Sequence, residues 1–527
     1  MGNHKVRRLG AVVVGLASIG LVGCGSDDSD AASVTTGATS TTASDTSATS
    51  ASAPSAPTER PTSMADWEAL WAEERAAIVQ RIADEGWGTS ADDSTLTGPE
   101  GLTVDLTACP SGWSGTEGLT DTGIKIGQTI GLSGIYAYPT ILDGQRTVFD
   151  HYSSEGAFED STGKTRTIEL ITRDDVTDPG RTPALIDELI DSEKVFATIT
   201  AASANTFRVY GKLNDRCIPH SVISSGHPAW GDPVNHPWTT GFQLSYITES
   251  TIWGAFIDAH IDEFPDGTVT VATLALDNDY GAVATGALDA YLKQSEHADR
   301  LELVSEKVDL AAPVVTDQMT TLASKDPDFL FVMVGGGQCS TVINEAAQNG
   351  MKESVTYKFL PNVCLLAGPT TKEAVGGDGS SADAWWVVNG GGVDLEDPNQ
   401  FDDAFVAFAR ELIESAGLDP DAPGDYGSGV GSGWLISQVL QIAGDLPGGL
   451  TRSNYLLAER TMDMTNPMLL EGMQLTMNGN ADPYLFESGV LQTWDAAGQA
   501  WVNQGDPIDL SGRSEPCAWD GSKGVCA

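Results

Sequence analysis

An apolar β run, a turn of small residues and a helical stretch recur in that order from Lys125 past Leu360. This alternation constrains the fold more than any other feature of the chain. IKIGQTIGL leads to a helix near Leu142 to Ser153, and TIELITRDD to one near Ala184 to Ser192. VFATIT, IPHSVI, VTVATLALD, DFLFVMV and YKFLP continue the series. Strands that alternate with helices form parallel sheets covered by helices on both faces. There are too many strands for one sheet, and WTTGFQLSYITESTIWGAF reads as a crossover into a second αβ lobe starting near Ile247. Ligands of open α/β sheets lie outside the carboxyl ends of the strands. The turns there read LSGIYAY (132–138), TAASANT (200–206), SSGHP (224–228), DNDYG (277–281), VGGGQCS (334–340) and PNVC (361–364). Such residues expose backbone N–H groups, and they are also common in ordinary turns and helix caps.

Before this body lies an export signal. Residues 1–23 have a basic start with Lys5, Arg7 and Arg8, then an apolar run too short to span a bilayer comfortably. The run ends in Leu21, Val22, Gly23 and Cys24, which looks like a bacterial lipobox and makes Cys24 the expected lipidation site. Of the 38 residues from Gly25 to Thr62, 26 are Ser, Thr or Ala. A segment of that composition buries too little apolar surface to offset its chain entropy, so 24–62 reads as a lipidated Cys and a tether with a reach of roughly 35 Å. Segment 63–119 opens with a helix: Ser63 and Asp66 have capping-box spacing, Trp67, Leu70, Trp71, Ile78 and Ile82 mark one face, and Gly86 stops it. That face needs a partner, and the following body is the expected one.

Six cysteines remain in the exported chain: Cys109, Cys217, Cys339, Cys364, Cys517 and Cys526. An even number in an oxidising compartment implies three disulfides. Cys517 and Cys526 are the local pair, closing a C-terminal loop within 506–527. The net charge of −46 disfavours nucleic acid and anionic lipid as partners, so the membrane is reached only through the lipid on Cys24. The seven His residues show no zinc-site spacing, and no metal or cofactor is expected. No GxSxG, P-loop or complete GxGxxG occurs, which argues against an enzyme. GSGVGSG (427–433) reads as a flexible helix start near a hinge, and DLEDPNQFDD (394–403) as a solvated loop and helix cap without EF-hand spacing.

Taken in order over roughly 120–505, these segments and the hairpin VLQTWDAAGQAWV resemble the type I periplasmic binding proteins. The nearest branch is the leucine/isoleucine/valine group of ABC-transporter substrate-binding proteins, in its lipid-anchored actinobacterial form. The resemblance implies a Venus-flytrap fold: two Rossmann-like α/β lobes with parallel central sheets joined by three hinge strands. Lobe one would be 120–246 plus 385–465, and lobe two 247–384 plus 466–505. It further implies a small polar ligand between the lobes, ABC permease subunits as partners, and a place on the outer face of the cell membrane. A surface sensor or scavenger of the same fold is the alternative. Carried over position by position, Ser203 and the backbone at Ala202 would hold a substrate carboxylate. Ser224, Ser225 and Gly226 would assist, and Tyr280 would cover the ligand from the second lobe; apart from the resemblance, the strand-end turns themselves offer Tyr280 and Tyr138 as aromatic walls. Gly335 falls where relatives carry an aromatic, leaving either a larger pocket or a closer backbone approach. Asn362 falls where amino-acid binders carry the carboxylate that meets the substrate ammonium. Either Asp277 or Asp279 substitutes for it, or the ligand is not a standard α-amino acid; an amide, an organic acid and a polyol-like solute stay open. Cys339 and Cys364 follow two turns of one lobe and would rigidify the cleft wall if paired.

Overall fold

The computed structural model describes residues 60–526 apart from 135, 266, 391, 423, 472 and 522. The export signal, Cys24 and the tether up to residue 59 lie outside the described residues. No helix among the described residues is long and apolar enough to cross a membrane.

The first described element is helix α1 (Met64–Glu85). Ser63 Oγ accepts from Asp66 N–H at its start, and Gly86 ends it at φ 68, a conformation that suits glycine. Trp67 and Trp71 are completely buried and stack at 5.3 Å, and Trp71 also meets Trp434 at 5.3 Å. Trp71 Nε1 donates to Thr465 O at 2.9 Å, and Arg60 pairs with Asp403 beside it. A three-stranded antiparallel sheet (Gly88–Thr89, Thr95–Thr97, Thr103–Asp105) follows.

Two larger sheets carry the body. The first runs, in spatial order, Phe158–Glu159, Thr165–Asp174, Gly123–Ile130, Ala197–Thr200, His220–Ile223 and Thr239–Gly241. All its pairs are parallel except the edge hairpin at Phe158–Glu159. The second runs Leu301–Val308, Val269–Leu276, Phe329–Met333, Tyr357–Leu360, Trp386–Asn389, Ser488–Asp495 and Ala500–Asn503, the last two antiparallel. Its central strand Phe329–Met333 is entirely buried, as expected where helices cover both faces. Helices α2 (Pro139–Ser154), α3 (Tyr246–His260), α4 (Asp279–Gln294) and α5 (Tyr426–Asp445) cover these sheets.

The chain passes between the sheets near Leu244, Gly390 and Glu487. Two boundaries differ from the sequence expectation. Trp386–Asn389, expected in the first lobe, pairs with Tyr357–Leu360 and Ser488–Asp495 of the second sheet. Residues 466–487, expected in the second lobe, bury Met468, Leu469, Met473, Leu475 and Leu485 in the first core. Their apolar side chains join the nearer core, and only Ser488 onward re-enters the second sheet. All six cysteines among the described residues are paired: Cys109 with Cys217, Cys339 with Cys364, and Cys517 with Cys526. The first joins the N-terminal extension to the first lobe.

The glycine run at 427–433 forms the first two turns of α5 and packs tightly rather than serving as a loose start. A Cβ on Gly429 would lie 2.3 Å from Ile141 O, and one on Gly144 of α2 would lie 2.7 Å from Tyr426 O. The two helices therefore touch through their backbones. Gly429→Ala should lower the unfolding free energy by about 1–3 kcal/mol through overpacking. Gly286→Ala, with nothing within 4 Å of the new methyl group on α4, should raise it by about 0.5–1 kcal/mol. Urea unfolding of both variants checks the contrast, and equal effects at the two positions would contradict the close contact.

Candidate functional site

The strand-end turns of the two sheets face one another across the crossings. Ala202 precedes the helical turn Ser203–Phe207 with φ 65, a region an L-residue seldom occupies, and its N–H donates to Ser224 O at 3.1 Å. This turns Ser203 inward. Ser203 Oγ and Ser225 Oγ share a hydrogen bond of 2.7 Å, and Trp230 Nε1 donates to Ser225 Oγ at 3.1 Å. The Tyr246 hydroxyl lies 3.5 Å from both serines. Tyr280 packs on Tyr246 with ring centroids 4.5 Å apart, both rings belonging to the second core. Its hydroxyl is enclosed and has no hydrogen-bond partner among the described residues. Burial pushes the ionisation of both tyrosines above the ordinary range.

Ser203, Ser225 and Tyr280 are thus brought together, and the remaining expected residues take other roles. Ser224 Oγ accepts from Gln243 Nε2 at 3.2 Å at the first crossing. Gly226 is a close approach: a Cβ would lie 2.1 Å from Leu244 O, and its carbonyl accepts from Tyr246 N–H at 2.8 Å. Gly335 leaves room for Tyr136, whose ring edge would lie 3.5 Å from a Cβ there. Tyr136 reaches across to donate to Gln338 Oε1 at 3.2 Å, a contact between the lobes that the sequence reading missed. Tyr138 packs near Tyr136, Tyr246 and Asp425, and burial again raises its ionisation.

Neither Asp277 nor Asp279 substitutes for the missing carboxylate at Asn362. Both are exposed, and Asp277 pairs with Lys307 at 2.8 Å on the outer surface. The buried carboxylate is Glu249, in the first turn of α3 and 2 % exposed. Its Oε1 accepts from Asn362 N–H at 2.6 Å, while Asn362 Nδ2 donates to Val388 O at 3.1 Å. Burial pushes the Glu249 carboxyl up to about 8 against the opposing Asn362 bond. The sequence held a signal for it: Tyr246, Glu249 and Trp253 share one face of the helix, and an acid between two aromatic residues on that face is out of place.

Beside this cluster, and sharing Asn362 with it, lies a cavity of about 270 Å³ walled by both lobes. Asp394, Glu396, Asp397 and Asp425 line it together with Phe242, Phe486, Trp494 and Trp501. The acidic stretch at 394–403 therefore divides: Asp403 caps the helix Ala404–Ser415, whereas Asp394, Glu396 and Asp397 wall the cavity. Among the described residues no group of His, Cys, Asp and Glu has the geometry of a metal site.

A family model described as periplasmic binding protein matches residues 123–477. No curated protein matches the chain. Solved structures of similar fold include a fatty acid ABC transporter substrate-binding protein from Thermomonospora curvata (17% identity, TM-score 0.61, 77% of this chain and 98% of that one). Another is a solute-binding protein of an ABC transporter from Rhodopseudomonas palustris BisB5 in complex with 3,4-dihydroxybenzoic acid (18%, 0.59, 74% and 98%). A third is a branched-chain amino acid ABC transporter protein from Thermus thermophilus with bound valine (12%, 0.60, 74% and 97%). At these identities the likeness is one of fold.

Glu249 gives a signed pH dependence. The unfolded chain releases this proton near 4.5 and the folded chain near 8. The group's contribution to stability is therefore complete below pH 4.5 and is lost as pH rises toward 8. Glu249→Gln should raise the unfolding free energy at pH 7 by about 1–3 kcal/mol and change little at pH 4. Denaturant titrations at the two pH values check this, and a variant weaker than the parent at pH 7 would contradict it.

Proposed function

Because the chain belongs to the periplasmic binding protein family, we propose that it is an extracytoplasmic solute-binding lipoprotein that captures a small polar solute between its lobes and delivers it to an ABC permease. One observation carries this reading: unpartnered polar groups and an open cavity are enclosed where the two lobes meet, with walls contributed by both. Buried polar groups are normally paired, and a solute entering there would complete them while bridging the lobes. Ser203, Ser225 and Tyr280 would orient its polar end. Asn362, positioned through Glu249, would form the boundary with the cavity, and Tyr138 a wall. Gly335 and Gly226 serve the approach of the lobes, and Ala202 and Ser224 fix the turns. Cys24 would carry the lipid, and the Ser/Thr/Ala-rich segment would hold the body clear of the membrane.

Melting of the full chain against a library of amino acids, amides, amines and organic acids tests capture. A solute at 100 times its dissociation constant adds about 2.7 kcal/mol. If no small solute shifts the melt while an intact partner protein does, transport gives way to a surface receptor. Ser203→Ala should weaken solute binding by about 1–3 kcal/mol in calorimetric titration, and unchanged affinity would remove it from the site. Cys24→Ser should move the protein from the membrane fraction to the medium on cell fractionation, and continued membrane retention would contradict the anchor.

A further inference from the structure

Resting on the solute-binding reading, we propose that the solute is an organic cation, such as an amine or quaternary ammonium compound, and that its charge is held in the cavity between Asp425 and Glu396. Four carboxylates line this space, and among the described residues that line it none is Lys, Arg or His. Arg410, the cation felt by Glu396, directs its donors elsewhere: to Leu395 O at 2.7 Å and Asp421 at 2.6 Å, with its guanidinium over Phe401.

The acids are not equivalent. Asp397 accepts from Asn399 N–H and Gln400 Nε2, and Asp394 Oδ1 accepts from Glu396 N–H, so both help hold their own loop. Asp425 uses Oδ1 to cap α5 through Ser428 N–H at 2.8 Å. Its Oδ2 is enclosed with no partner among the described residues, although Asp425 lines the cavity. An oxygen of that kind is a vacant acceptor for a donor arriving from the cavity. Burial, reinforced by Asp394 and Asp425, pushes the Glu396 carboxyl up to about 7, and burial likewise brings Asp425 to about 6. Like charges are crowded there, with Arg410 the cation that Glu396 feels and its donors turned to Leu395 O and Asp421, and an incoming cation relieves what an incoming anion would worsen.

The remaining walls suit the same ligand. Phe242 and Phe486 meet edge to face at 4.9 Å on the first lobe, and Trp494 and Trp501 at 5.4 Å on the second. Aromatic rings beside carboxylates attract an alkylated ammonium through the ring quadrupole while covering its methyl or methylene groups. A ligand lodged between the two pairs would touch both lobes. The expectation of a substrate carboxylate, carried by the serine turns, then applies at most to the far end of the solute.

The test is calorimetric titration and melting of the full chain with tetramethylammonium, choline and 1,4-diaminobutane, and in parallel with benzoate, leucine and acetamide. At least one cation should bind and raise the melting temperature. Asp425→Asn and Glu396→Gln should each weaken it about tenfold or more, with the melting of the unliganded variants unchanged or raised. Glu396 caps no helix, so its variant keeps the test sound if Asp425→Asn disturbs α5. Binding of the acid, zwitterion or amide with no cation bound would overturn the cationic class and leave solute capture standing. Cation binding undiminished in both variants would overturn the location. Binding of none of the six probes would overturn the proposal, and silence across the wider library would take the capture reading with it.

Discussion

Two helices approach backbone to backbone only where neither has a side chain in the way, and Gly144 against Gly429 is that place. The contact sets α2 beside α5 so that both helices begin at the cleft. Thr140 Oγ1 accepts from Asp425 N–H at 2.7 Å between them, and Gly424 is pressed so close to Thr140 that a Cβ would lie 2.2 Å from its hydroxyl. Asp425 is thereby fixed at the rim of the cavity, and Tyr138, the residue before α2, is fixed beside it. The same α5 buries Trp434 against Trp71, so the N-terminal helix packs on the far side of the element that builds the site wall.

Buried charge holds the rest of the first lobe in register. Arg452 donates to Phe196 O at 2.9 Å and Val195 O at 2.8 Å, and Arg460 to Pro237 O at 2.9 Å and Thr239 O at 2.7 Å. Glu459 accepts from Ser221 and Thr240 between them. Most of their donors and acceptors are paired with backbone carbonyls or side-chain hydroxyls, as buried charge requires, while Arg460 Nε has no partner among the described residues. At the cleft, Glu249 has one backbone donor at Asn362, and the Tyr280 hydroxyl and Asp425 Oδ2 have no partner among the described residues. What distinguishes the cleft is a cavity walled by residues of both lobes, Asp425 with its unpartnered Oδ2 among them, and this is the physical basis for proposing solute binding there.

Much of the fold was legible because strand and helix periods are local properties. DFLFVMV reads as a buried strand and is one, and the local pairing of Cys517 with Cys526 followed from spacing. The site was legible only in part. Ser203, Ser225 and Tyr280 converge because their turns end neighbouring or facing strands, an order that the resemblance supplied. Glu249 and Asp425 were missed because one sits in a helix and the other in a long loop, and burial of a carboxylate depends on contacts far away in sequence. The acidic run at 394–403 was legible as an exposed loop and a helix cap at Asp403, but the place of Glu396 and Asp397 in the cavity wall depends on the opposite lobe and was not. The boundary at 385 was misplaced because a strand's sheet is decided by its hydrogen-bond partners, here Tyr357–Leu360 and Ser488–Asp495.

The most direct measurement is a crystal structure of the chain purified from its own cells with its solute retained. The account predicts density for a small molecule in contact with both lobes, between Asp425 and the Trp494–Trp501 pair and bordered by Asn362. Solute density confined to one lobe's outer surface, with the space between the lobes holding only ordered water, would contradict it.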